Sequence, residues 1–466
     1  MGFDLMDEDK LKEECGVMGV YSKVQNVSHM IYYGLYALQH RGQESAGIAV
    51  SKDSKIDCYK DMGLVSQVFS DKNKLERLEG NIGVGHVRYS TTGESLAVNA
   101  QPLIVKCKNG EMALVHNGNI VNAGSIRKIL ESEGVSFQTT NDSEVMANMI
   151  ARYYKDDIEK AIKGVMEIVK GSYALIIMTE DKLIGVRDNQ GIRPLCLGKT
   201  DDGYVLSSES CGLDAIGAEL VRDIEPGEIV IIDKNGIRSI FNDNRKKLCI
   251  FEIIYFARPD SIIDGINVYS ARKEAGKILS SEYPVDADVV ISVPDSGTPA
   301  AIGYAEESGI PYSIGLIKNR YIGRTFISPN QKAREKGVEI KLNVIKENIE
   351  GKRVVLVDDS IVRGTTSKRI VNMLKKAGAK EVHLRVSSPS VSSPCYFGID
   401  TPYRKYLIGA NKTSDEICEM INADSLGFLS QEGLIKSTGK SDQFCSACFN
   451  GDYPMEIPRE GLELDE

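Results

Sequence analysis

Short apolar runs bounded by charge and turn residues recur along the chain and set its first reading. Val354–Val357 lies between Lys352-Arg353 and the turn-rich Ser360–Thr366. A run that short reads as a strand buried on both faces of a parallel sheet. A helical pattern follows in Ser367, Ile370, Val371 and Leu374, with Gly378 as its stop. Asp288–Val293 repeats the arrangement: a buried strand, the turn Pro294-Asp295-Ser296-Gly297-Thr298, then a helix opening near Pro299. The first half is patterned differently. Ala174–Thr179, Leu183–Arg187, Tyr204–Ser207 and Glu228–Asp233 read as strands, Ser28–His40 as a helix, and Thr140–Glu144 as a capped helix start. Strands and helices there come in separate runs, which predicts an α+β layered domain ending near residue 245.

The 466 residues suffice for two or three domains with full cores. A net charge of −9 without a long basic stripe argues against a nucleic-acid partner. No apolar run approaches the roughly 18–20 residues that span a bilayer, so no membrane partner is expected. Residues 1–14 are acidic and lack the apolar core of a secretory signal. The compartment therefore reads as reducing and cytoplasmic, and the ten cysteines as thiols or metal ligands instead of disulfides.

Asp358 and Asp359 stand at the carboxyl end of the predicted strand, where open α/β sheets place their ligands. The free N–H groups of the following helix start favour a phosphate. Ser360, Thr365 and Thr366 add hydroxyl donors, and Gly364 lets the backbone approach closely. Adjacent carboxylates suit ribose hydroxyls or a hard cation that retains waters and substrate oxygens. The stretch asks for a sugar phosphate with a metal; the plainer alternative is an Asp pair capping a helix. Lys352–Thr366 resembles the phosphoribosyl diphosphate (PRPP) loop of type I phosphoribosyltransferases, with their α/β fold and parallel sheet. The resemblance implies PRPP contacts from Asp358, Asp359, Ser360, Val362, Arg363, Gly364, Thr365 and Thr366, the last two on the 5-phosphate. It implies Mg²⁺ held through Asp358, Asp359 and Ser296, with Asp295, Ser296 and Gly297 on the diphosphate. Lys318 and Arg324 lie in a weakly periodic stretch, 318–337, long enough to be a lid. From composition alone it is equally a solvated basic loop.

In the first half, Cys15 follows Glu13-Glu14 and precedes Gly16 and the apolar run Val17–Tyr21. Alone it would be a buried structural cysteine. Arg41–Gly47, Gly85–Gly93 (with His86, Arg88 and Thr91), His116–Asn119 and Thr140–Glu144 accompany it. Together these strings resemble the class II glutamine amidotransferase domain, an N-terminal-nucleophile hydrolase with a four-layer sandwich. The resemblance implies that residues 1–14 are a propeptide and that Cys15 is the nucleophile, its freed α-amine acting as base. Asn117 and Gly118 would form the oxyanion hole, Arg88 would grip the glutamine α-carboxylate, and Asp142 would face its ammonium. Thr91 and His86 would line the same pocket. His116, beside Asn117-Gly118, is as readily explained by holding the turn.

Cys445-Ser446-Ala447-Cys448 is a C-x-x-C pair, a pattern shared by zinc, iron–sulfur and redox sites. Spacing does not join it to Cys249 or Cys395. Both halves together resemble the glutamine PRPP amidotransferases, in the branch with a propeptide and an iron–sulfur cluster. That resemblance implies a [4Fe–4S] cluster on Cys249, Cys395, Cys445 and Cys448; structural zinc is the rival. It also implies an ammonia channel walled by Tyr255, Phe326 and Ile327, and a homotetramer inhibited by purine nucleotides. The expected organisation is a propeptide at 1–14, a glutaminase domain at 15–245, a phosphoribosyltransferase domain at 246–430, and a C-terminal segment, 431–466, carrying the C-x-x-C pair. Two other functions compete with the amidophosphoribosyltransferase family's: a PRPP-binding regulator, which has no use for Cys15, Arg88, Asn117 and Asp142 together, and a different class II amidotransferase, which has none for Asp358–Thr366.

Overall fold

The computed structural model describes residues 15–24, 26–53, 55–89, 96–242, 245–319, 342–401, 403–441 and 443–457. Residues 1–14, Thr91, Arg324, Phe326 and Ile327 lie outside that set, and so does most of the stretch 318–337.

Two antiparallel sheets stack in the first half. One has seven strands, in the order Glu219–Asp223, Cys196–Thr200, Gly203–Ser207, Gly16–Ser22, Ile82–Arg88, Ser45–Lys52, Lys55–Met62. The other has six: Gly236–Phe241, Glu228–Asp233, Leu183–Arg187, Gly171–Met178, Gly110–Ile120, Leu103–Cys107. Val17, Val84, Val115, Ile176, Leu206 and Val230 fill the space between them. A side chain at Gly19 would meet Ile176 Cγ2 at 2.7 Å, so the Ile176 side chain of the facing sheet packs directly on the Gly19 backbone. Helix Val27–Ala37 covers one outer face with Val27, Ile31 and Leu35, one helical stripe. Helices Ser143–Tyr153 and Ile158–Ile168 cover the other with Val145, Met149, Ile158 and Ile162. The result is the four-layer sandwich expected of the first half.

The second half holds a four-stranded parallel sheet, ordered Val289–Ser292, Arg353–Asp358, Glu381–Val386, Ser425–Phe428. Arg353–Asp358 is central. Val355 and Val357 face one helical layer and Val354 and Leu356 the other, which is why this run has no polar alternation. The following helix spans Thr365–Lys376 and opens from Gly364 at φ 80, a left-handed conformation that glycine adopts without penalty.

Between the halves the chain makes strand Leu248–Cys249, then a π-helical segment at Glu252–Phe256. Leu248–Cys249 pairs in parallel with Phe444–Cys445, so Cys249 and Cys445 are direct partners. No local pattern signals this ladder, because each strand has two residues and the pairing spans most of the second half. Leu316–Lys318 pairs with Leu342–Val344 in a short antiparallel ribbon. Among the described residues no helix is long and apolar enough to cross a membrane.

Helices Val268–Glu282 and Thr298–Ser308 cross in backbone contact at two glycines. A Cβ at Gly276 would lie 1.9 Å from the Ala300 carbonyl oxygen, and one at Gly303 1.8 Å from that of Lys273. Gly276→Ala should therefore destabilise the protein by about 1–3 kcal/mol, since the helices must separate. Gly164→Ala, on helix Ile158–Ile168 with nothing within 4 Å, should be neutral or stabilise by up to about 1 kcal/mol. Denaturant unfolding of the two variants checks the contrast; equal effects would contradict it.

Candidate active site

Cys15 immediately precedes the central strand Gly16–Ser22, and its half-buried Sγ lies 3.5 Å from the Tyr89 carbonyl oxygen. Burial pushes the thiol up to about 11; the Tyr89 contact and Arg88 pull it down, while Asp142 and Glu44 add to the rise. The structure thus brings Cys15, Arg88 and Asp142 together, three residues drawn from separate motifs. The Cys15 carbonyl accepts a 3.2 Å hydrogen bond from Arg41 Nε.

Arg88 is buried and donates to Glu44 Oε1 at 2.7 Å. Glu44 sits inside the Arg41–Gly47 string, but its pairing with Arg88 depends on the sheet register Ser45 to Arg88 and is not legible in one dimension. Asp142 is the N-cap residue of helix Ser143–Tyr153, yet its side chain makes no capping bond. Asn141 Oδ1 accepts the Glu144 N–H at 3.1 Å in its place, and Asp142 Oδ2 accepts the Ile120 N–H at 2.8 Å. The expected capped start is real, with the cap moved one residue back and Asp142 turned toward the sheet.

Asn117 and Gly118 lie on strand Gly110–Ile120, paired with Ala174 and Tyr173. Asn117 is 1% exposed, and its Nδ2 has no hydrogen-bond partner among the described residues. A buried amide donor costs free energy when unmet, so this one suits an oxygen that arrives with a ligand. Gly118 has φ 146, and a Cβ there would lie 2.1 Å from the Ser172 carbonyl oxygen. His116 lies within this strand and not in a turn: its Nδ1 lies 2.9 Å from Ser143 Oγ and its N–H donates to Gln101 Oε1 at 2.8 Å. His86 Nε2 lies 3.0 Å from the His116 carbonyl oxygen. Burial drives His86 down to about 3, so it remains a neutral imidazole across the working pH range.

In the second half the two predicted turns converge. Gly297 packs on the end of the central strand; a Cβ there would meet the Val357 carbonyl oxygen at 2.7 Å and Asp358 Cα at 3.4 Å. Ser296 Oγ donates to Asp359 Oδ2, and Ser360 Oγ donates to Asp359 Oδ1 at 2.8 Å. Asp358 Oδ1 accepts the Asp359 N–H at 2.9 Å. Both carboxylates are buried, 2% and 1% exposed, deeper than a sequence reading of surface ligands suggests. Val362, Gly364 and Thr366 are buried in the loop, whereas Arg363 and Thr365 are exposed. Lys318 Nζ lies 3.8 Å from Asp295 Oδ2, an exposed ion pair. Tyr255 packs edge-on against Phe256. One buried cation beneath this site escaped sequence reasoning. Arg272 donates to the Ile253 and Ala257 carbonyl oxygens at 2.7 and 2.9 Å. Burial lowers it to about 10, with Asp359 the largest opposing influence.

The four remaining predicted ligands, Cys249, Cys395, Cys445 and Cys448, all follow the first half. Cys448 lies within electrostatic reach of Cys249, Cys445 and Cys395. Among the described residues no three His, Cys, Asp or Glu side chains form a group arranged to hold a metal ion.

A family model for a glutamine amidotransferase domain matches residues 86–215, and one for a phosphoribosyl transferase domain matches residues 264–388. The amidophosphoribosyltransferase of Archaeoglobus fulgidus is 52% identical, covering 96% of this chain and 100% of that protein. The Bacillus subtilis amidophosphoribosyltransferase is 50% identical, covering 96% and 95%. This chain belongs to the amidophosphoribosyltransferase family. The solved B. subtilis glutamine PRPP amidotransferase, complexed with ADP and GMP, superposes with a TM-score of 0.91 at 49% identity, covering 96% of this chain and 98% of that one. A structure described as the allosteric regulatory enzyme of purine biosynthesis superposes at 0.92, with 48% identity over 97% of this chain and 98% of that one. An amidophosphoribosyltransferase fold accounts for both candidate sites in one chain.

Before any cleavage at Glu14–Cys15, alkylation of Cys15 by iodoacetamide should climb about tenfold per pH unit from pH 7 to 10, because a thiol titrating near 11 gains thiolate at that rate. Mass-spectrometric alkylation rates test this; a plateau below pH 9 would contradict it.

Proposed function

We propose that this chain makes 5-phosphoribosylamine from glutamine and PRPP, the first step of de novo purine synthesis, at two sites joined by an internal passage. Membership of the amidophosphoribosyltransferase family supports the overall reaction. The observation that carries the residue assignments is the meeting of Cys15 with Arg88 and Asp142 beside a strand whose Asn117 amide is buried and unmet.

Cys15 Sγ attacks the side-chain amide carbon of glutamine, and its thiol proton passes to the freed α-amine of Cys15. The oxygen of the tetrahedral intermediate takes Asn117 Nδ2 and the Gly118 N–H; one such donor is worth about 10²–10³ in rate. Collapse breaks the C–N bond, and the α-ammonium returns the proton to the departing ammonia. Water then hydrolyses the glutamyl thioester to glutamate. Arg88 and Asp142 hold the two ends of the amino-acid moiety, with Thr91 and His86 lining the pocket. Removal of residues 1–14 belongs to this reading, since only a terminal Cys15 carries a free amine.

Ammonia displaces diphosphate from C1 of PRPP. Ser360, Val362, Arg363, Gly364, Thr365 and Thr366 bind the phosphoribosyl group; Asp295, Ser296, Gly297, Lys318 and Arg324 bind the diphosphate. Tyr255, Phe326 and Ile327 line the passage and keep ammonia from water. Two buried carboxylates, of which Asp359 is already bonded to Ser296, fit Mg²⁺, which takes one or two carboxylates and completes its shell from substrate. Held through Asp358, Asp359 and Ser296, it would neutralise the departing diphosphate.

Cys249, Cys395, Cys445 and Cys448 fit a [4Fe–4S] cluster. The direct pairing of Cys249 with Cys445 and the nearness of Cys448 to the other three support this. Structural zinc is the rival occupant of the same four thiols. Neither half-reaction moves electrons, so the cluster's part is structural or oxygen-sensing. Purine nucleotides as inhibitors accord with the ADP and GMP carried by the B. subtilis structure. A homotetramer in the cytoplasm completes the reading.

Cys15→Ala should abolish glutamine-dependent synthesis and leave ammonia-dependent synthesis within about twofold, because the two halves of the reaction use different residues. Equal loss of both would overturn the division of labour. Anaerobically purified protein should be brown and contain about four irons and four sulfides per chain. Colourless protein with one zinc and no iron would sink the cluster assignment.

A further inference from the structure

Two turns that carry predicted cluster cysteines abut the glutaminase machinery. The first is Cys395–Gly398. Asn119 Nδ2 donates to the Tyr396 carbonyl oxygen at 2.8 Å. Ser172 Oγ donates to the Phe397 carbonyl oxygen at 2.6 Å. Gly398 has φ 102, and a Cβ there would lie 3.2 Å from the Gly118 carbonyl carbon and 2.9 Å from Arg193 Nη2. This turn is therefore the back wall of the Asn117–Asn119 segment, in contact through backbone atoms. Ser172 faces Asn119 across the ladder, so the wall is pinned to both strands of the pair.

The second turn is Cys249–Glu252. Glu252 is 0% exposed and grips Arg41 with both carboxylate oxygens: Nη1 donates to Oε2 at 2.9 Å and Nη2 to Oε1 at 2.7 Å. Arg41 Nε in turn donates to the Cys15 carbonyl oxygen. Thus Glu252, through Arg41, fixes the residue whose thiol attacks and whose amine accepts the proton.

Arg193 joins the two. It is 0% exposed. Its Nε donates to the Phe397 carbonyl oxygen at 3.1 Å, Nη2 donates to the same oxygen, and Nη1 lies 3.6 Å from Glu252 Oε1. One guanidinium therefore ties the wall behind the oxyanion donors to the carboxylate that anchors the nucleophile. A planar fork reaches both in fixed directions, which an ammonium on a flexible stem does not. Nucleophilic attack is sensitive to such alignment: a misplacement of about 1 Å costs roughly 10² in rate.

We propose that Arg193 is a positioning residue for glutamine hydrolysis, holding the Cys395–Gly398 and Cys249–Glu252 turns in register so that Cys15 and the Asn117/Gly118 donors face the same carbonyl. The proposal rests on the glutaminase reading above. It makes the packing of the cysteine-bearing turns a condition for hydrolysis; the Arg193 contacts given above go to the Phe397 carbonyl oxygen and Glu252, not to the loops that hold Ser296, Asp358 and Asp359.

The test uses the processed, metal-replete full chain with Arg193→Lys and Ser172→Ala, in steady-state assays with glutamine and separately with ammonia. Arg193→Lys should lower kcat for glutamine by about tenfold or more, with KM for glutamine changed less than about threefold and ammonia-dependent synthesis within about twofold. Ser172→Ala, which removes one hydroxyl, should show the same pattern at about three- to tenfold. Iron content and the unfolding midpoint report folding independently of activity. Unchanged glutamine kcat, a rise in KM alone, or parallel loss of both activities in a folded variant would overturn the proposal. If Arg193→Lys does not fold, Ser172→Ala decides by the same criteria. Absence of glutamine hydrolysis in the unsubstituted protein would instead sink the glutaminase reading itself.

Discussion

A guanidinium sealed from water must be met by carboxylates, or its charge becomes too costly to keep. Arg41 is in that position at the junction of the two halves. Burial works against its charge, but Glu252 and Glu209 outweigh it and hold its pKa above the ordinary value. Glu209 is itself kept well below the usual carboxylate range, because His40 and Arg41 more than offset its burial. Its second oxygen accepts from Ser261 Oγ at 2.7 Å and the Arg258 N–H at 3.0 Å. Arg41 and Glu209 belong to the first half; Glu252, Arg258 and Ser261 belong to the second. Removing one of these charges unbalances the buried cluster, and breaking a buried pair costs about 3–5 kcal/mol. The two halves are therefore fixed to each other by electroneutrality as much as by apolar packing.

That constraint explains why the two sites can be so unlike and still serve one reaction. The glutaminase site is set on antiparallel strands, where register alone brings Arg88 opposite Ser45 and Asn117 opposite Ala174. The phosphoribosyl site is set on loops after parallel strands, where two turns meet because their strands are neighbours. Neither geometry reaches the other directly. The segment from Leu248 to Ala257 runs between them and contributes to both: Glu252 to Arg41, and the Ile253 and Ala257 carbonyls to Arg272, the cation facing Asp359.

The readable part of the sequence was the part governed by short-range rules. The all-apolar run of Val354–Val357 gave a central strand, and Gly364 and Gly378 bounded the helix after it, because turn and cap conformations are local. Family strings led to Cys15, Arg88, Asn117 and Asp142. What was not legible depended on pairing across long separations: Glu44 with Arg88, Glu252 with Arg41, Phe397 with Ser172. Buried arginines such as Arg193 and Arg272 carry no sequence signal, since composition gives them the same prior as surface cations. Which residue of Thr140–Glu144 caps the helix was not legible either: Asn141 does so, while the Asp142 carboxylate is taken by a strand N–H that only the fold supplies.

The bond from Ser172 to the Phe397 carbonyl closes a separation of 225 residues. Synthesis runs from the amino end, so the sandwich that carries Cys15 leaves the ribosome long before the turn that backs its oxyanion strand exists. A nascent or truncated chain holds the nucleophile without the wall behind its target. It also lacks the Asn119 bond to the Tyr396 carbonyl oxygen, so both ties between the sandwich and that turn form only when the second half has been made.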